Sequence, residues 1–397
     1  MISRRDILRL GTAGLMLPAI ESMVPAGVSA NQTKPGTVPM YRGNAARTSE
    51  MPGPAPDFSN GIGVRWQFAT GDQLRTSPAV ADGVAYVGSG DGSLYAVSLQ
   101  DGAEIWRFPA GDRVELYPTV VDGTVFFGSA DQNVHAVDAS TGDERWRLPI
   151  GPNAGSPAVV DGMVLVSGGE QGQMNLFALD AQDGTEIWRF PVDSYWNLVP
   201  AVAESTVFLS TGPSVQALDL HTGEEIWRVP YDGRDAPFGS ELAVVSNTVY
   251  ASGGGTSAFD AQDGTELWRT TPDQFITGAI AVAGDTLVAG SGEYHTVAAA
   301  DVRDGSRRWL YAIDGTEPDP AKPSRYGFSN VAIAGDTVLA TRAFNEIYAF
   351  DVRDGSDRWT FQLHTEGGKN VLSLPVIVDG LVLVGCSDGN LYALGAL

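Results

Sequence analysis

Eight tryptophans stand in register along the chain. Trp66, Trp106, Trp146, Trp188, Trp227, Trp268, Trp309 and Trp359 lie 40, 40, 42, 39, 41, 41 and 50 residues apart, and 38 residues follow the last. A repeat of this length is one supersecondary unit, too small to bury its own apolar face, so it must stack on its neighbours as a propeller or solenoid does.

Each unit reads alike. "SPAVADG" (77–83) leads into "VAYVGSGDG" (84–92), then "LYAVSLQDG" (94–102), then "AEIWRF" (103–108). Short alternating runs of Val, Ala, Tyr and Leu signal strands, and the Asp-Gly pairs between them signal tight hairpins. No stretch beyond the first thirty residues has a helical stripe. Four short antiparallel strands repeated eight times describe an all-β, eight-bladed β-propeller. The last unit stops at "LYALGAL", after its third strand, whereas Trp66 lies in "GVRWQF", a fourth strand with no blade before it. The N-terminal strand around Trp66 is therefore expected to complete the last blade and close the ring, which removes exposed sheet edges.

The recurring phrase "ALDAQDGTEIW" (178–188) has a physical reading. Small Ala178 leaves room for a ring, Asp180 can accept from backbone or indole N–H, and Gly184 permits the turn. Trp188 then supplies an apolar plate between blades. The pattern Ala-x-Asp-x-x-(Thr/Asp)-Gly-x-x-x-Trp resembles the tryptophan-docking motif of quinoprotein propellers. It appears seven times, with Ser98 replacing Asp in the first copy, and the truncated copy Ala393–Leu397 leaves Trp66 to dock through ring closure.

On these motifs the chain resembles the PQQ-like (pyrroloquinoline-quinone-like) repeat propeller superfamily over residues 62–397. The resemblance implies the fold but hosts unrelated roles. One branch, the quinoprotein dehydrogenases, holds the quinone and a calcium ion in the channel and builds its pocket from large insertions, often with a vicinal disulfide. Cys386 is the only cysteine here, so that disulfide is impossible. The blades are close to minimal, and only the Trp309–Trp359 unit carries an insertion, containing "TEPDPAKPSRYG". Calcium wants six to eight oxygen ligands, and no carboxylate cluster stands out. The other branch comprises non-enzymatic, single-domain BamB-like propellers, which this chain resembles more closely in style.

Composition removes further classes. Residues 1–30 hold three Arg and two acids, so the rest carries 22 basic and 46 acidic residues, a net −24. Such a surface repels phosphate backbones, which argues against a nucleic-acid partner. His135, His221, His295 and His364 fall in different units with no metal-ligand spacing. Cys386, in "LVLVGCS", reads as a small buried residue. "GSGDGS" at 88–93 mimics a phosphate loop but joins two strands rather than opening a helix.

The N-terminus divides in two. In residues 1–30, Arg4 and Arg5 precede the apolar "GTAGLMLPAI", and "VSA" ends at Ala30. This resembles a twin-arginine export signal followed by a peptidase site, and the apolar run is too short to span a membrane. No cysteine follows to carry a lipid anchor. Residues 31–61 are rich in Pro, Gly and Ala, and read as an extended leader that crosses or packs on the surface of the propeller at 62–397.

A binding site is expected where the innermost strand of each unit begins, just before the Pro-Ala-Val run. The copies diverge there, offering Arg75, Glu115, Tyr117, Asn153, Trp196 with Asn197, Glu241, and Lys369 with Asn370; Arg325 and Tyr326 lie in the long insertion. Trp196 is the one tryptophan out of register, and could stack a ligand or a partner side chain; the plainer reading is a loop aromatic covering the core. Glu115 and Glu241 could attract a cation, though loop carboxylates are usually solvated. The sequence thus predicts an exported, monomeric, non-catalytic propeller that binds an envelope or secreted protein, or a small ligand in its channel, without cofactor or metal. The alternative is a small quinoprotein oxidoreductase using pyrroloquinoline quinone and calcium.

Overall fold

A computed structural model describes residues 36–397, apart from 57, 59, 60, 153, 171, 195–197, 212, 231–241, 253, 254, 272–277, 292, 293, 314, 316–327 and 366–370. The strands form eight four-stranded antiparallel sheets, the blades of a β-propeller. Blades are numbered here by their innermost strands, from Ala79–Ala81 in blade 1 to Val376–Val378 in blade 8. Blade 3 is representative, with strands Ala158–Val160, Met163–Glu170, Gln173–Asp180 and Glu186–Val192 running from the axis outward. Antiparallel order puts the first and third turns of every blade on one face. The second turns share the other face with the connections between blades.

The outermost strand of blade 8 is Ile62–Ala69, paired with Asn390–Ala396 so that Trp66 stands opposite Ala393. Closure by the N-terminal strand is thus as the repeat arithmetic requires. The core lies in the seams between blades. One cluster joins Tyr86, Ala96 and Trp106 of blade 1 to Val125, Phe127 and Val137 of blade 2, and the next joins Phe126, Ala136 and Trp146 of blade 2 to Val164 and Phe177 of blade 3.

At seven seams the indole N–H donates to a backbone carbonyl of the following blade. Trp66 reaches Leu99, Trp106 Ala139, Trp146 Ala181, Trp188 Leu220, Trp227 Ala261, Trp268 Val302 and Trp309 Val352, all at 2.9–3.1 Å. Trp66 therefore spans the closing seam, from blade 8 to blade 1. Asp180 accepts from the backbone N–H of Gln182 rather than from an indole.

Candidate functional site

From Val38 to Met51 the leader does not lie on the surface, apart from the exposed Glu50. It enters the axis and runs around it in the same order as the blades. Val38 exchanges two hydrogen bonds with Val80 of blade 1, at 2.7 and 2.8 Å. Five further carbonyls then accept from one innermost-strand N–H each: Pro39 from Val120, Ala45 from Val202, Ala46 from Val244, Thr48 from Val282 and Ser49 from Ile333, at 2.7–2.9 Å. These bonds reach blades 1, 2, 4, 5, 6 and 7. The reason is general: an innermost strand pairs on one side only, and its other N–H groups are costly to bury without a partner.

Two arginines rise from this hoop. Arg42 donates from Nε to Ser49 Oγ at 2.7 Å, from Nη1 to the Leu242 carbonyl at 2.9 Å, and from Nη2 to the Ile280 carbonyl. Arg47 donates to the carbonyls of Pro200 at 3.1 Å, Tyr41 at 2.6 Å and Pro157 at 3.2 Å. Leu242, Ile280 and Pro200 each stand two residues before the hoop-bonded valine of their strand, and Pro157 stands two before Val159, which holds the matching place in blade 3. Both guanidinium groups therefore sit one tier from the hoop, towards the face of the inter-blade connections, gripping blades 3 to 6. Both are 1–2 % exposed. Burial, and then the charge of Arg42, lower the Arg47 guanidinium to about 9. Arg47 has no carboxylate partner among the described residues; backbone carbonyls do the solvating.

Of the binding candidates expected from the sequence, three are described. Arg75 is exposed, and so is Glu115, whose carboxylate stands 3.5 Å from Arg113. Tyr117 faces the axis, where its ring stacks on Tyr41 of the leader with centroids 3.7 Å apart and planes within 5°. Asn153, Trp196, Asn197, Glu241, Arg325, Tyr326, Lys369 and Asn370 lie outside the described residues. Sequence reasoning missed Tyr41, Arg42 and Arg47. A signal was present: "YRGNAART" is a basic, acid-free stretch in a strongly acidic chain. Among the described residues no group of three or more His, Cys, Asp or Glu stands together to hold a metal.

Family comparison agrees with this architecture. The model of a family described as outer membrane protein assembly factor BamB matches residues 60–150, 130–229 and 211–397. The chain belongs to this family of PQQ-like repeat propellers. No curated protein matches it in sequence. Among solved structures it resembles BamB from Moraxella catarrhalis, with TM-score 0.69 and 16% identity over 84% of this chain and 99% of that one. It resembles the quinohemoprotein alcohol dehydrogenase of Comamonas testosteroni as well, with TM-score 0.71 and 13% identity over 93% and 82%. A europium-containing methanol dehydrogenase gives TM-score 0.70 and 14% identity over 91% and 98%. Likeness at this identity shows the fold and does not separate the two kinds of propeller. No helix of the described residues is long and apolar enough to cross a membrane.

Proposed function

We propose that the protein is an exported, non-catalytic propeller that binds a protein partner through the loops on the inter-blade face of its ring. The observation that carries this reading is the leader's path. From Val38 to Met51 it lines the axis and is bonded to six innermost strands, so the channel is furnished with the protein's own chain. A quinone and calcium in that channel would want oxygen ligands converging on an open axis. The described residues do not fit that pair, since they present there two buried arginines, stacked tyrosines and no metal-binding cluster. Family membership supports the same reading, because BamB is described as an assembly factor.

Export rests on the twin-arginine pattern of residues 1–30, and monomeric behaviour on the closed ring. The partner contacts are assigned to the inter-blade segments, with Trp196 and Arg325 first among the residues to change. The deciding experiment is a titration of the mature chain with pyrroloquinoline quinone and calcium, read by absorbance and thermal melting. Absence of saturable binding is expected. One-to-one binding with a raised melting temperature would overturn the proposal in favour of an oxidoreductase. Recovery of one envelope protein by the mature chain, lost with Trp196→Ala or Arg325→Glu, is the positive result; retention after both changes removes this site assignment.

A further inference from the structure

The seam between blades 7 and 8 is built differently from the other seven. Trp359, on the outermost strand of blade 7, makes no indole-to-carbonyl hydrogen bond among the described residues. By alignment its acceptor would be the carbonyl of Ala396, which follows Ala393 as Ala181 follows Ala178. That carbonyl instead accepts from Arg65 Nη1 at 3.1 Å. In place of the missing contact, the ring of Phe58 stands edge-on to Trp359, with centroids 5.1 Å apart and planes at 68°. Phe58 is 6 % exposed, and it belongs to the leader.

We infer that Phe58 and the leader that carries it form a clasp holding blade 7 to blade 8, in place of the indole bond absent from this seam among the described residues. The leader is anchored on both sides of Phe58. Before it, Ser49 and Met51 bracket Ile333 of blade 7 with bonds of 2.9 and 2.7 Å, and Pro54 lies against Gly335 of the same blade. After it, Gly61 donates to the Phe58 carbonyl at 2.9 Å and accepts from Leu397 N–H at 3.1 Å, next to the last strand of blade 8. A single short segment thus ties the innermost strand of blade 7, the tryptophan on its outer strand and the end of blade 8. An edge-to-face aromatic pair adds to what area burial alone supplies, but it lacks the directional hydrogen bond present at the other seams. The consequence is local: with the clasp weakened, the ring opens first between blades 7 and 8, as a sub-global event below the threshold of full unfolding.

Hydrogen exchange read by mass spectrometry on the full mature chain tests this. Phe58→Ala should speed exchange about tenfold or more in Thr337–Arg342 and Leu381–Gly385, the second strands of the flanking blades, while Met163–Glu170 of blade 3 keeps its wild-type rate. Unchanged exchange in all three segments would overturn the clasp, and so would an equal rise in all three, which reports general destabilisation. Should the alanine variant fail to fold, Phe58→Leu keeps most of the apolar volume without the ring. It must show the same selective rise with a smaller factor; a wild-type pattern in that variant overturns the inference.

Discussion

The indole of Trp146 lies flat against Gly184 of the next blade: a Cβ on that glycine would sit 2.7 Å from Cε3, while the indole N–H reaches the Ala181 carbonyl at 3.1 Å. Gly184 also has φ of 76°, in the left-handed region. One glycine therefore serves a turn and a ring contact together. Gly162, with φ of 74°, has nothing within 4 Å of its would-be Cβ, so it shares the first demand only. Gly162→Ala should cost about 1–2 kcal/mol, the left-handed penalty alone. Gly184→Ala should cost more, about 3–5 kcal/mol, because the ring must also shift. Urea unfolding of the two variants measures the difference; equal costs would show that the seam yields freely.

Arg47 offers a second test. Truncation to alanine strips the Pro200 and Tyr41 carbonyls of a charged donor in a buried setting. An expected loss of about 2–4 kcal/mol follows from leaving such groups unpaired. Because burial lowers this guanidinium to about 9, its charged form is disfavoured by folding. Wild-type stability should therefore gain from this group as pH rises from about 9 towards the ordinary value of 12.5, a gain missing in Arg47→Ala. Denaturant midpoints of both proteins across that alkaline window check the sign.

How much of this was legible beforehand follows from what a repeat can encode. Strand order, blade count and closure at Trp66 recur in register, so spacing alone revealed them. The leader's path has no period, and the partners of Arg42 and Arg47 are mostly backbone carbonyls, which every residue carries and no sequence advertises. Tyr117 stands out in the sequence as a divergent residue before an innermost strand, yet the ring it meets belongs to Tyr41, 76 positions earlier, which no spacing links to it. The Phe58–Trp359 contact was hidden for the same reason: it substitutes for a motif instead of repeating one.

The acid limb of stability should be governed by turn carboxylates. Bonds from Arg303 and Arg308 hold Asp301 well below the usual carboxylate range, and bonds from Arg353 and Arg358 do the same for Asp351. A depressed folded value means that the stabilisation is complete above the unfolded value near 3.8 and disappears as pH falls below it. Asp301→Asn with Asp351→Asn should thus lower stability at pH 7 and flatten its loss between pH 4 and pH 2. A double variant with the wild-type slope would show that these pairs are too exposed to matter.

Cys386 gives the last prediction. It is fully buried in a seam, and desolvation raises its thiol to about 12. Thiolate is the reacting species, so at pH 8 the native protein should label with iodoacetamide about a thousandfold more slowly than the unfolded chain. Since blade 8 carries this thiol, its labelling rate in dilute urea reports opening of that blade. A rate that tracks the global unfolding transition means blade 8 opens with the rest of the ring. Labelling that begins at lower urea than the loss of overall strand content means blade 8 opens ahead of it. A fast native rate in plain buffer would contradict the burial itself.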